Sequence, residues 1–121
     1  MSAADRATAL GRGANILLPA ARIYLEAGKE TRAQELASEL ASHFDPDARA
    51  YAKLIGGEIK LRRGRPREAI SDFEEARQIS DTWPGRFDLG QAYLAANAFP
   101  EADAELEACV KSPRKDNNLV V

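Results

Sequence analysis

The sequence has little of what disulfide-bonded, metal-binding or membrane proteins usually need. It holds a single cysteine, Cys109, and a single histidine, His43. An internal disulfide framework is therefore excluded, and neither residue has a partner of its own kind for a metal site. No apolar run approaches the roughly 20 residues of a membrane-spanning helix. The mostly apolar stretch 14–21 is short, contains Pro19 and runs directly into Arg22.

A strong excess of charge of one sign is also lacking. The 121 residues include 17 basic and 19 acidic side chains, for a net charge of −2. Proteins that bind nucleic acid usually carry a positive excess, so nucleic acid is not an expected partner. The arginines between positions 62 and 67 have Glu58 and Glu68 close by, which indicates a solvated, salt-bridged surface. With 45% hydrophobic and 30% charged residues, the chain is typical of one globular domain, which we expect in the cytoplasm without a membrane partner.

Recognisable catalytic motifs are missing as well. The pair Gly11 and Gly13 precedes a helix, but it has neither the third glycine nor the preceding strand of a phosphate-binding loop. The cysteine and the histidine lie in different segments, and the cysteine takes a small core position, which predicts a buried and inert thiol. Neighbouring carboxylates such as Glu74 and Glu75 lie on outward helical faces, without an apolar pocket to shift their pKa values. We expect no enzymatic activity, no cofactor and no bound metal.

What the sequence does have is an internal repeat. Three segments align, at 20–40, 56–76 and 89–109, and each consists of a helical run, a turn residue and a second helical run. The turn residues all tolerate the left-handed backbone conformation that ends a helix; they are Gly28, Gly64 and Asn97. Small residues follow the turns at one constant offset, namely Ala33, Ala69 and Ala102.

The periodicity of each run is that of an amphipathic helix. In the second copy the apolar residues of the second run share one helical face, namely Ala69, Ile70, Phe73 and Ala76. No segment alternates with period two for long enough to predict a strand. Prolines at positions 46, 66 and 100 stand where helices should begin, and there they cost no hydrogen bond. The candidate N-cap residues are Asp45 or Asp47 in the first link, and Ser80 or Asp81 before the third copy.

The residue pattern of these copies resembles the tetratricopeptide repeat. The third copy carries Leu89-Gly90-x-x-Tyr93 and then Ala102-x-x-x-Leu106. The second carries Gly57, Gly64, Ala69, Phe73 and Ala76, and the first carries Ala21, Tyr24, Gly28 and Ala33. The small residues Ala21, Gly57 and Gly90 lie mid-way along the first helix of each pair, where the second helix is expected to cross closely. The copies depart from the family in lacking its early tryptophan, and the second has Lys60 in place of the aromatic residue.

The resemblance implies an all-α fold, with about six helices arranged as antiparallel hairpins and stacked in a short right-handed superhelix. Three repeats are expected at about 14–47, 50–82 and 83–112, between a disordered or partly helical leader at 1–13 and a tail at 113–121. Because repeats bury their faces only against neighbours, three are about the minimum for stability. The outer face of the third repeat then needs a cover, either from the chain's last residues, 119–121, or from another chain.

In the tetratricopeptide family the first helix of each pair lines a concave groove. By resemblance, the partner-binding groove consists of Leu18, Arg22, Leu25, Tyr51, Leu54, Glu58, Leu61, Phe87, Gln91 and Leu94. Five further residues face it as well, namely Asn15, Glu26, Arg62, Pro84 and Ala95. The aligned leucines and the phenylalanine predict an apolar stripe beside polar residues, which is typical of protein-binding sites. An error of one residue in the helical register would instead place some of these leucines inside the stack.

The function implied by the resemblance is a non-enzymatic protein-interaction module, either an adaptor or the regulatory segment of a signalling protein. The expected ligand is a helical or extended, partly apolar peptide. Family members that grip acidic carboxyl termini place basic and amide side chains in the groove, but the matching positions here are Leu18, Arg22, Ile55, Pro84 and Asp88. Only Arg22 could pair with a carboxylate, so such a clamp is not expected. The alternative function is a structural unit that forms homo-oligomers through its uncovered repeat ends.

Overall fold

The computed structural model describes residues 3, 5 and 13–111, and residues 13–111 form six α-helices with no strand among them. The helices are α1 (Ala14–Glu26), α2 (Glu30–Ala41), α3 (Pro46–Arg62), α4 (Pro66–Ile79), α5 (Trp83–Ala95) and α6 (Phe99–Lys111). The all-α prediction is confirmed. Except for positions 3, 5 and 13, the expected leader and the expected tail lie outside the described residues. In the described part of the chain, no helix is long and apolar enough to cross a membrane.

The turns inside the three helix pairs share one backbone conformation. Gly28, Gly64 and Asn97 have positive φ angles of 76°, 77° and 61°. In each turn the N–H of this residue donates to the carbonyl three residues earlier, and the following N–H donates to the carbonyl five residues back. These paired hydrogen bonds satisfy the last carbonyls of the first helix and reverse the chain. The prediction of the three turns from their residue types is confirmed.

Prolines and capping side chains define several of the helix starts. Helices α3 and α4 begin at Pro46 and Pro66, and the Asp45 carboxylate accepts a hydrogen bond from the Asp47 N–H at 3.0 Å. Helix α3 therefore begins before position 50, where the sequence predicts the start of the second repeat. The predicted cap of α5 was wrong, since Thr82 is the N-cap and its hydroxyl accepts from the Gly85 N–H at 3.1 Å.

The two residues that were expected to cap α5 have other roles. Ser80 ends α4 and lies in extended backbone, whereas the Asp81 carboxylate is paired with the Arg86 guanidinium. The Arg86 contact lowers the pKa of Asp81. Thr82 is the residue next to the first helical turn, and its extended backbone aims the hydroxyl at the free N–H groups there.

Close helix crossings occur at the glycines of the repeat. A Cβ atom on Gly57 would overlap the ring of Phe73 on α4, and one on Gly90 would lie 2.8 Å from Cδ2 of Leu106 on α6. Phe73 and Leu106 occupy the same position in their copies, so the two pairs pack in the same way. The expectation of small residues at these crossings is confirmed.

The three helix pairs stack in chain order. Each helix packs against its neighbours in the sequence, and in addition α1 packs against α3 and α3 against α5. The first helices of the pairs therefore form one continuous row, as in a helical repeat. The largest fully buried side chains lie within and between the pairs; they are Tyr24, Phe73, Leu17, Leu40, Leu54, Ile55 and Leu89.

Candidate functional site

A cleft of about 370 Å³ opens along the row of first helices. It is lined by Arg22, Glu26, Glu58, Leu61, Arg62, Phe73, Phe87, Asp88 and Gln91. Helices α1, α3 and α5 supply all of these residues except Phe73, which comes from α4. The stacking of the pairs therefore creates the cleft, because no single pair contains its walls.

Five charged side chains of alternating sign cross the cleft, and we name this row the charge chain: Glu26, Arg62, Glu58, Arg22 and Asp88. Arg62 Nη2 lies 2.6 Å from Glu26 Oε1 and 3.1 Å from Glu58 Oε2. Arg22 Nε lies 3.6 Å from Glu58 Oε1, and Arg22 Nη2 donates to Asp88 Oδ2 at 2.5 Å. The charge chain joins α1, α3 and α5, and its three carboxylates and two guanidiniums leave one negative charge when all are ionised.

Asp88 is the buried end of the charge chain, with only 4% of its surface exposed. Burial raises the pKa of this carboxyl to about 6, against the opposing effect of the Arg22 cation, and the negative charge of Glu58 adds to the rise. At the other end of the charge chain, Glu26 is largely exposed. The cleft therefore runs from a solvated carboxylate to a desolvated one.

The structure places seven of the fifteen predicted groove residues in this cleft. Those that line it are Arg22, Glu26, Glu58, Leu61, Arg62, Phe87 and Gln91. Tyr51 is half-buried and packs against the core, and Leu94 is 45% exposed near the end of α5.

Three other predicted groove residues belong to the hydrophobic core. Leu18 is 5% exposed, Leu25 is 6% exposed and Leu54 is fully buried. The prediction of an exposed apolar stripe through these leucines was wrong, because the next pair in the stack covers this face of α1 and α3. What is left is a cleft in which Leu61 and Phe87 are half-buried apolar residues beside the charge chain, and the third apolar residue, Phe73, is buried.

The ion pair between Arg22 and Asp88 is the feature of the site that sequence reasoning missed. The two residues are 66 positions apart, and the sequence pattern indicates Asp88 only as one of the positions that match a carboxylate clamp. Nothing in the local pattern around either residue signals their contact. Phe73 was placed on the core face of α4, and its contribution to the cleft became visible only in the packed structure.

The candidate reactive residues, Cys109 and His43, lie at different places in the fold. Cys109 is buried, and burial raises the pKa of its thiol. His43 lies in the link between α2 and α3. Among residues 3, 5 and 13–111, no three histidine, cysteine, aspartate or glutamate side chains are grouped as metal ligands.

Comparison with known proteins gives one partial likeness. Transcription activator GutR of Bacillus subtilis (strain 168) is 27% identical to the chain over 106 residues, which cover 82% of the chain and 13% of GutR. The chain thus spans a small part of the length of this relative. No protein-family model matches the chain, and no solved structure matches it significantly. Membership of the tetratricopeptide family stays a prediction from the residue pattern.

Proposed function

We propose that the chain is a non-enzymatic protein-interaction module that binds a peptide in the cleft between α1, α3 and α5. The cleft itself is the observation that supports the proposal, since it combines a volume of about 370 Å³ with half-buried apolar side chains and hydrogen-bonding groups. Leu61 and Phe87 offer a surface for an apolar side chain, and Gln91 offers an amide to a peptide backbone. The ligand that fits is a partly apolar peptide in helical or extended conformation.

The likeness to GutR supports a role as a regulatory segment. The matching part is a small share of a protein that is named as a transcription activator, and an interaction module is a reasonable component of such a regulator. The arginines of the charge chain support a protein partner over nucleic acid, because Arg22 and Arg62 already pair with carboxylates and are not free to neutralise phosphates.

The proposal is tested by selecting peptides from a displayed random library against the intact chain and measuring their dissociation constants by fluorescence anisotropy. We expect Leu61→Ser and Phe87→Ser each to weaken the selected peptides by at least about tenfold, because apolar anchors dominate such interfaces. Ile23→Ser is the matched control, since Ile23 is 39% exposed on α1 and does not line the cleft. Circular dichroism verifies that each variant keeps its helices. Peptides that bind both cleft variants as tightly as the unchanged chain would show that the cleft is not the binding site.

The alternative function, self-association through the repeat ends, has its own supporting observation. Large apolar side chains are exposed on the third pair, where Phe99 and Val110 are 59% and 82% exposed. Sedimentation velocity over a hundredfold range of concentration decides between the two proposals. A strict monomer throughout that range contradicts the alternative, whereas a concentration-dependent dimer that Val110→Asp abolishes supports it.

A further inference from the structure

Equivalent positions in the three pairs become more exposed along the stack. Leu25, Leu61 and Leu94 occupy the same position in the repeat. Leu25 is 6% exposed, Leu61 is half-buried and Leu94 is 45% exposed. Each pair covers this position of the pair before it, and within the described residues nothing covers Leu94. The third pair therefore presents a surface that is equivalent to the two interfaces inside the stack.

The second helices of the pairs also have a row of residues that faces the next pair inside the stack and is exposed on the third pair. On α4, the row that faces the third pair is Arg67, Ile70, Glu74 and Arg77. Arg67 and Ile70 lie beside Tyr93, the Tyr93 hydroxyl donates to Glu74 at 2.9 Å, and Arg77 pairs with Glu105 at 2.8 Å. The equivalent row on α6 is Pro100, Asp103, Glu107 and Val110, and all four residues are exposed. We name Leu94 together with this α6 row the end face.

At the opposite end of the stack Tyr24 is already held by other contacts, which argues against a second copy of the chain as the occupant of the end face. Tyr24 is the equivalent of Tyr93, but its hydroxyl donates to Asp5 and its ring is only 1% exposed. Arg32 lies over the same ring at 5.3 Å. A second copy that stacked head-to-tail would have to release Tyr24 from these contacts before the hydroxyl could reach Glu107.

The charge of α6 indicates the chemistry of the occupant. The helix carries four carboxylates, at positions 101, 103, 105 and 107, and one basic residue, Lys111. Glu105 is paired with Arg77, whereas the one ion pair of Glu107 within the described part of the chain is the exposed contact with Lys111 at 2.7 Å. Two copies packed face to face about a two-fold axis would bring these acidic rows together. A basic helix would instead complement them.

We propose that the end face binds a basic amphipathic helix of a partner protein, which packs its apolar ridge on Leu94 and Val110. Lysine or arginine side chains beside that ridge pair with Asp103 and Glu107. The contact with Glu107 takes the place of the hydrogen bond that the Tyr93 hydroxyl donates to Glu74 inside the stack. The helix thereby continues the packing that α5 makes on α3 and α4. This surface is separate from the peptide-binding cleft, so the two proposals stand or fall independently.

The probe for the test is an 18-residue helical peptide with leucines along one face and lysines on both flanks, labelled with fluorescein. We expect the intact chain to bind it, and Leu94→Asp, Val110→Asp and Asp103→Lys each to weaken binding by at least about tenfold. Glu35→Lys changes the net charge of the chain as much as Asp103→Lys does, but it lies on α2, so it should weaken binding by less than about threefold. Phe87→Ser, which alters the cleft, should leave this binding unchanged.

A charge swap makes the test specific. A peptide with glutamates in place of its lysines should bind Asp103→Lys combined with Glu107→Lys more tightly than it binds the unchanged chain, by at least about tenfold. The proposal is wrong if the lysine peptide does not bind, if Glu35→Lys weakens it as much as Asp103→Lys, or if the swapped pair shows no gain. It is also wrong if Leu94→Asp converts a dimer to a monomer, or if serine at Leu119 and Val120 tightens binding tenfold, since the occupant is then a second copy or the chain's own terminus.

Discussion

At the scale of single residues, Asp88 is the one charged side chain among the described residues that is buried. It comes from α5 but is held by Arg22 of α1, and Glu58 of α3 approaches the same guanidinium. Burial raises the pKa of Asp88 to about 6, because the cost of desolvating the carboxylate outweighs its attraction to Arg22. The same guanidinium also pairs with Glu58, which weakens its effect on Asp88. The folded protein therefore holds a proton on Asp88 at pH values where the unfolded chain has already released it.

This proton makes stability depend on pH. In the unfolded chain the pKa of an aspartate is about 3.9, so above pH 5 the folded state binds more protons than the unfolded state and its stability falls as the pH rises. We expect the free energy of unfolding to fall by ~1 kcal/mol from Asp88 between pH 5 and 7.5, and to show no further loss from this group above pH 7.5. Urea unfolding followed by circular dichroism at several pH values measures the slope. Asp88→Asn should remove it, and Asp103→Asn, at an exposed position, should retain it; equal slopes in the two variants would refute this account.

At the scale of helices, the absence of a side chain sets how closely a pair packs. Gly57 admits the ring of Phe73 and Gly90 admits Leu106, whereas the neighbouring Gly56 meets only a carboxylate oxygen of Asp72, at 3.8 Å from a Cβ position. The two adjacent glycines on α3 therefore have opposite roles. One makes the crossing possible, and the other only weakens the helix.

Alanine substitutions separate these two roles. We expect Gly57→Ala to destabilise the fold by about 1–3 kcal/mol, because the added methyl group overlaps a buried ring. Gly56→Ala should instead stabilise it by up to about 1 kcal/mol through the higher helix propensity of alanine. Thermal and urea unfolding of both variants measure the difference. If Gly57→Ala is as stable as Gly56→Ala, the helices do not cross as closely as the structure shows.

At the scale of the whole molecule, the stack decides what each equivalent position does. Leu25 and Leu94 have the same place in the repeat, yet one lies in the core and the other is 45% exposed. The middle pair has neighbours on both sides and the third pair has a described neighbour on only one. Position in the stack therefore determines how much apolar surface a residue buries.

This difference should appear directly in stability. Leu25→Ala is expected to destabilise the protein by about 2–4 kcal/mol, as is usual for a buried leucine. Leu94→Ala should cost less than about 1 kcal/mol because nearly half of that side chain is in contact with solvent. Urea unfolding of the two variants under one condition tests the prediction, which fails if the two losses are equal.

The sequence by itself determined the local architecture. The three turns were predictable from Gly28, Gly64 and Asn97, because a left-handed residue is needed to end a helix in this way and few residue types adopt that conformation. The helix starts at Pro46 and Pro66 followed from the fixed φ angle of proline. Such signals depend only on the backbone and on near neighbours in the chain.

Only the tertiary structure decided which side chains form the site. Leu18 and Leu54 have the same place in the amphipathic pattern as Phe87. The next pair in the stack buries the two leucines in the core, and no local pattern encodes that packing. Arg22 and Asp88 meet across 66 positions because three pairs stack in one direction. The helices follow from local sterics and periodicity, whereas the cleft, its charge chain and its open end depend on the packing of one repeat on another.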